Sequence, residues 1–514
     1  MPTFDAVIYG ANMSGCMAAK ELAARGRSVA VIDPLNWRGG LNTGGICLMD
    51  YGDKRTEWGY WKQLCQTVAN VYGGSGADLS YSFRFEPKEM TAALDAMLAG
   101  ESNITWVYDA PLETVTKTGS LITSITCGGV VYTSTQFIEA SYEGDLMAMA
   151  GCACTHGRES VNNYGEALGG ISFADGITRS YGVVDAKGNR YDVAQPGYDG
   201  REGDGDARIQ GYNFRMVWSQ KSDRLPWQAP PGYRREDFLD VLHEVTSRGL
   251  TNIFTPDDFW FRQPINGTGA GPSAADKVRT VADGKSGINQ RDQYWLASEW
   301  ATASWPRRKE LMARLYYRFA GTLYFLANDS SVPSAMRTYV NTWGLCADEY
   351  QGAGNYYGQP GWSPVVYVRE GRRLIGQYVM TQADFNTDCV DPVCVANYFV
   401  DRHTVSHFAK PDGTSIKEGH RAASNYRSTG VPFRAMKPWA GQADNLIVAN
   451  TISTTSVIWQ PIRMEPTFAQ LGQVAGMAAH LALSGSKPVG QVAYADLLPL
   501  LTTANAILTR SQAL

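Results

Sequence analysis

The chain has 514 residues, 44% hydrophobic and 19% charged, with 53 glycines and 23 prolines; this is a loop-rich globular composition, long enough for two or three domains. Lys and Arg number 46 against 50 Asp and Glu, a formal charge of -4, which is too weak a field to recruit nucleic acid and points to a small-molecule partner. No basic start leads into an apolar run and no uncharged apolar stretch reaches membrane-spanning length, so a soluble, cytoplasmic protein is expected. The nine cysteines are expected as reduced thiols, and neither Cys152/Cys154 nor Cys389/Cys394 has the second pair of a zinc site, so no metal is expected.

In chain order, Asp5 to Tyr9 (DAVIY) reads as a buried parallel strand. Ser14 to Arg25 carries Met17, Ala18, Leu22 and Ala23 at helical spacing, Gly26 stops it, and Ser28 to Ile32 (SVAVI) is a second strand ending at Asp33. This is a βαβ unit of roughly thirty residues. Its turn, Gly10 to Gly15, departs from G-x-G-x-x-G at the middle position. Gly10 and Gly15 hold the first and third places, while Asn12 stands at the second, where it tolerates a left-handed backbone and offers an amide to a phosphate oxygen. Ser14 lies in the same turn. Asp33 is placed to accept from a ribose diol and to repel a 2′-phosphate, which disfavours NADP.

Arg38 to Asp50 (RGGLNTGGICLMD) holds two glycine pairs, Gly39-Gly40 and Gly44-Gly45; it reads either as a surface loop or as backbone lining a flavin or diphosphate. Phe137 to Gly151 reads as a strand, a small-residue turn at Ala140-Ser141, and a helix with Leu146, Met149 and Ala150 on one face. Ala186 to Arg208 is a polar loop without calcium ligation, and GTGAGP (267–272) follows no strand, which argues against a second nucleotide domain. A helix from Pro306 to Asn328, carrying Arg314 and Arg318, is expected to be packed. Asp444 to Asn450 reads as another strand. Pro466 to Leu483 reads as a helix with Phe468, Leu471, Val474, Met477 and Ala478 inward, and with Gly472 and Gly476 set for close packing on a sheet.

The phrases IEASYEGDLMAMAG (138–151), THGRESVNNYGEALGG (155–170), IQGYNFRM (209–216), LYFLAND (323–329), YVREGRRLIGQYVMT (367–381), YFVDRHTV (398–405) and IRMEPTFAQLGQVAGMAA (462–479) closely resemble the FAD-dependent oxidoreductase family, whose cofactor domain is glutathione-reductase-like. The resemblance is colinear over nearly the whole chain. It implies an α/β fold with a Rossmann-like FAD domain in two pieces, 1–165 and 431–514, and an inserted α+β substrate or cap domain, 166–430. FAD is the implied cofactor, with Gly10, Asn12, Ser14, Gly15, Asp33, Arg38, Gly40, Gly44, Gly45, Ala140, Ser141, Asp145 and Glu465 as candidate cofactor residues. Pro466 opens the last helix, whose amino end would face the flavin pyrimidine.

His403, Asp401 and Arg463 are the candidate catalytic residues, Asp401 and His403 being two apart and so on one face of a strand. Arg369, Arg372 and Arg373 read either as a carboxylate anchor or as an ion-paired network. His156, Arg158, Glu159 and Tyr164 either face the pocket or join the domains. Trp58, Trp61 and Trp459 are core residues or platforms for a sugar ring. Cys47 is a packing thiol or a flavin attachment point, and many relatives carry histidine where Ser456 stands. The expected activity is oxidation of an alcohol or amine carbon of a polar, sugar-like or other small molecule by hydride transfer to flavin N5. The alternatives are reduction or dehydrogenation of a C=C bond beside a carboxylate, and a flavin-bound binding or redox-sensing protein.

Overall fold

The computed structural model describes residues 1–47, 53–72, 85–173, 177–179, 195–196, 200–253, 285–289, 292–352, 357–409, 415–426 and 428–513. Asp50, the run 267–272 and most of the polar loop 186–208 lie outside them. Strand β1 (Thr3–Tyr9), helix α1 (Met13–Ala23) and strand β2 (Val29–Ile32) form the expected unit. They are followed by β3 (Ile104–Val107), β4 (Leu112–Thr118), β5 (Leu121–Cys127) and β6 (Val130–Glu139). The strand order is β3-β2-β1-β6-β5-β4. β1 pairs in parallel with both β2 and β6, as an apolar strand buried on two faces does.

The long strand β6 forks the sheet. Its amino half pairs antiparallel with β5, and its carboxyl half takes the late strand Leu446–Val448 in parallel. Asn445 locks that strand in place: its Oδ1 accepts from the Ile122 N–H at 2.8 Å, and its Nδ2 donates to the carbonyls of Ile122 and Thr135 at 2.8 and 3.0 Å. The result is a mixed α/β fold with a Rossmann-like parallel sheet, its amino-terminal and carboxyl-terminal segments built into one core.

The last long helix, Glu465–Ser484, is apolar on every face and buried from Glu465 through Ala479, the pattern of a helix inside a protein rather than on its surface. Its glycines do not face the sheet, as their spacing suggested. A Cβ on Gly472 would lie 2.0 Å from the Ser14 carbonyl oxygen, and one on Gly476 2.8 Å from that of Ala18. Both positions therefore let this helix touch the backbone of α1.

A second core spans Ile209 to Val368 and is built round the helix Trp305–Asn328. Its aromatic centre sets Phe214 and Tyr316 against Tyr357 and Trp362. Leu374, Met380, Val393, Val400 and Val431 pack into the first core instead. Among the described residues no helix is long and apolar enough to cross a membrane, and no group of three or more His, Cys, Asp or Glu is arranged to hold a metal. All nine cysteines are free thiols.

Gly472→Ala should destabilise the fold by about 1–3 kcal/mol through overpacking, seen as a lower melting midpoint. Gly100→Ala, whose Cβ would meet nothing within 4 Å, serves as the control and should melt as the parent does.

Candidate active site

The carboxyl ends of β1 and β6 cross at almost no separation. A Cβ on Gly10, whose φ is +108°, would stand 2.5 Å from the Ser141 nitrogen and 2.6 Å from the Ala140 carbonyl carbon, and one on Gly15 would stand 1.9 Å from the Gly10 oxygen. Only glycine fits either place. The two turns expected to meet the cofactor thus touch each other.

Asn12 is used differently from the expectation. Its backbone is extended, φ -69° and ψ -175°, so no left-handed residue is needed here. Its Oδ1 caps α1, accepting from the Gly15 N–H at 3.2 Å and from Ser14 Oγ at 2.8 Å. Capping consumes the oxygen and leaves the amide Nδ2 buried without a partner among the described residues.

Asn12 lines a cavity together with Gly10, Asp33, Gly40, Ser141 and Tyr142, while Trp300, Trp305, Val365, Val366 and Val368 supply an apolar wall. The Asp33 carboxylate accepts from the N–H groups of Ala11 (2.6 Å) and Leu35 (2.8 Å), and burial pushes its pKa up to about 7. The glycine loop is packed rather than solvated. Gly40 lies against Tyr142, Gly44 against Val365 and Gly45 against the Arg215 backbone, where added Cβ atoms would stand 2.5, 2.4 and 2.0 Å from their neighbours.

Of the thirteen expected cofactor residues, Gly10, Asn12, Asp33, Gly40 and Ser141 line this cavity and the other eight do not, two of them being engaged in ion pairs elsewhere. Arg38 pairs with Asp95 at 2.5 Å and lies over the Trp106 ring. Asp145 is held in a buried ion-pair network by Arg308 and Arg372, with Trp305 Nε1 donating to it at 3.0 Å. A carboxylate so engaged joins the two cores. The short helix it opens, Asp145–Met149, is capped by Glu139, whose Oε2 accepts from the N–H groups of Leu146 and Met147 at 2.6 and 3.1 Å. Met149, expected on the inner face, is 43% exposed because the helix ends there.

At the amino end of the last helix sits Glu465, accepting from Asn42 Nδ2 at 2.6 Å and from the Tyr142 hydroxyl at 2.8 Å; burial pushes its pKa up to about 7. Beyond Tyr142 the candidate catalytic residues converge. His403 Nδ1 meets Asp292 Oδ2 at 2.8 Å, and its Nε2 stands 3.6 Å from Asp401 Oδ2. Arg463 donates to the Asp401 carbonyl at 2.8 Å and to the Tyr367 hydroxyl at 3.2 Å. Burial works against ionisation of Asp401, but His403, then Arg463 and Arg369, outweigh it and hold its pKa well below the ordinary carboxylate range.

Asp292 carried no signal in the sequence, yet it ties the site together, its Oδ1 accepting from Arg369 Nη2 and Asn213 Nδ2, both at 2.8 Å. The IQGYNFRM phrase supplies Asn213 and also Gln210, whose Oε1 accepts from the His403 N–H at 2.8 Å. The three arginines of YVREGRRL do not share one anion: Arg369 pairs with Asp292, Arg372 with Asp145 and Arg373 with Glu159. Arg158 is buried between Asp206 and Glu418, and Glu159 also accepts from the Ser456 N–H at 2.8 Å. Trp58, Trp61 and Trp459 are at most 2% exposed and are core residues.

A family model described as FAD dependent oxidoreductase matches residues 5–501. The chain belongs to this family. As a member of the FAD-dependent oxidoreductase family it is an oxidoreductase with FAD as its cofactor, and the cavity suits that group. Gly10 and Asn12 bring the amino end of α1 to the cavity, and the Asn12 amide is a donor without an acceptor among the described residues. Asp33 supplies a carboxylate at the end of β2 and the aromatic wall an apolar surface. No curated protein matches the chain. Among solved structures it is similar to L-proline dehydrogenase from P. horikoshii, with 15% identity over 31% of this chain and 59% of that one, TM-score 0.24. It is also similar to T. acidophilum thioredoxin reductase, with 20% identity over 27% of this chain and 35% of that one, TM-score 0.19. The likenesses span less than two thirds of either protein and have no bearing on the substrate.

Asn12→Asp keeps the helix cap but sets a carboxylate against the diphosphate. FAD affinity should drop about tenfold or more, the worth of one bond to a charged group, while the apoprotein melts no earlier; equilibrium dialysis and thermal melts read the two effects. Asp33, Glu139 and Glu465 each sit at about 7 in the fold. For Glu465 the stabilising effect is complete below the ordinary value of 4.5 and is lost as pH rises to about 7. The melting midpoint should therefore fall between about pH 5 and pH 8, and Glu465→Gln should flatten that slope.

Proposed function

We propose that this flavoprotein oxidises a C–H bond at an alcohol carbon of a polar small molecule. The observation that carries this reading is the imidazole of His403, oriented by Asp292 on one ring nitrogen and facing Asp401 from the other. With Nδ1 engaged by Asp292, Nε2 of the neutral imidazole is the atom that would take the substrate hydroxyl proton. Asp401, ionised at every working pH, offsets the charge that His403 gains. Arg463 holds Asp401 in place, and Gln210 fixes the backbone of His403.

Gly10, Asn12, Ser14, Gly15, Asp33, Gly40, Ser141 and Glu465 are the residues we assign to holding FAD, which when bound supplies the hydride acceptor at its N5. The segments 1–165 and 431–514 carry that duty, and Trp300, Trp305 and Val368 from 166–430 close the same cavity against water. Addition of an alcohol panel without oxygen should bleach the flavin absorbance, and His403→Gln should slow bleaching by the best alcohol about 10²–10⁴-fold with FAD content unchanged. A full rate in that variant removes His403 from the reaction. Bleaching by no alcohol or amine, with reoxidation by enoates alone, overturns the reading in favour of C=C reduction.

A further inference from the structure

Among the described residues the polar cluster holds more guanidinium groups than carboxylates. Three guanidinium groups gather on Tyr367: Arg369 and Arg215 lie over its ring at 4.4 and 4.8 Å, and Arg463 donates to its hydroxyl. Two carboxylates face them, Asp292 and Asp401. Glu370 is turned to Gln210, whose N–H and Nε2 donate to it at 3.3 and 2.9 Å. The Arg369 side chain is wholly buried, yet its Nε and Nη1 have no partner among the described residues, nor has Nε of Arg215. Buried guanidinium N–H groups without acceptors are costly unless an acceptor-only group arrives.

We infer that Arg369 and Arg215 bind the carboxylate of a 2-hydroxy acid whose carbon 2 is the carbon oxidised; this rests on the reading of His403 given above. Arg369 and His403 are held by the two oxygens of one carboxylate, Asp292. The bound anion and the oxygen giving up its proton must then be close neighbours in the substrate, as a carboxylate and a 2-hydroxyl are. An ammonium beside three guanidinium groups is disfavoured, so the hydroxy acid is preferred to the amino acid. In the reaction the hydroxyl proton passes to His403 Nε2 and the C2–H bond breaks. Its electron pair leaves with the hydrogen as hydride to the bound cofactor, and a C2=O bond forms. The hydroxy acid loses two electrons to the cofactor and becomes a 2-oxo acid.

The test uses FAD-loaded enzyme and two measurements. Oxalate, an unreactive dicarboxylate, is titrated calorimetrically into the parent and into Arg369→Lys, which keeps the charge opposite Asp292 but loses the planar donors. Glycolate, lactate and glycerate are then compared with their methyl esters and with alanine for anaerobic bleaching. Oxalate binding that weakens about tenfold or more in Arg369→Lys, at unchanged FAD content, together with faster bleaching by the free acids than by their esters or by alanine, is the expected result. Esters or neutral polyols bleaching as fast as the acids, or oxalate failing to bind, overturns the carboxylate site while leaving alcohol oxidation standing. Oxalate bound but displaced equally by inorganic phosphate overturns the carboxylate assignment in favour of a general anion site. Oxalate binding through Arg369 with no bleaching by any compound supports the anion site and overturns oxidation itself.

Discussion

The contact between Gly10 and the Ala140-Ser141 turn is the constraint on which the rest of this molecule depends. The turns that follow two paired parallel strands, β1 of the βαβ unit and its neighbour β6, meet at a separation that admits no Cβ. That closeness places the amino end of α1 beside the carboxyl end of β6. The last helix then packs onto α1 through Gly472, and its leading residue, Glu465, reaches Tyr142 just beyond the crossing. The two turns, α1 and the helix Glu465–Ser484 are thus fixed relative to one another through main-chain contacts, which side-chain rotamers cannot loosen.

The two cores are joined by charge as well as by apolar packing. Asp145 takes Arg308 from the helix Trp305–Asn328 and Arg372 from the stretch that also builds the polar cluster. Such buried pairs add little net stability, but removing one member leaves an unpaired charge and is costly. Their structural value lies in register: Asp145 holds Trp305 over the cavity, and the neighbouring Glu143 holds Trp300.

The sequence made the local parts legible and left the long-range ones hidden. The βαβ unit was readable because its strands are continuous apolar runs, its helix has a clear period, and glycine marks both turns. Asp401 and His403 were readable as neighbours because two-residue spacing on an extended chain has one meaning. The orientation of Asn12 was not, since residue type does not fix φ; as an amide it serves equally in a left-handed turn or as an extended helix cap. Gly472 and Gly476 announced a close approach without naming the neighbour. Asp292 was invisible: it lies 111 residues from His403 in a stretch with no periodicity, and only the folded chain brings it there. Arg38 and Asp145 were drawn into ion pairs by partners the linear order does not reveal, Asp95 and Arg308.

The late strand Leu446–Val448 has a consequence for biosynthesis. Its partner, the carboxyl half of β6, leaves the ribosome some three hundred residues earlier, and through that interval the growing polypeptide carries an uncovered, apolar sheet margin that invites mispairing. The helix that closes over α1 arrives later still. A nascent chain therefore has no complete nucleotide cradle to fill until the helix Glu465–Ser484 has been synthesised.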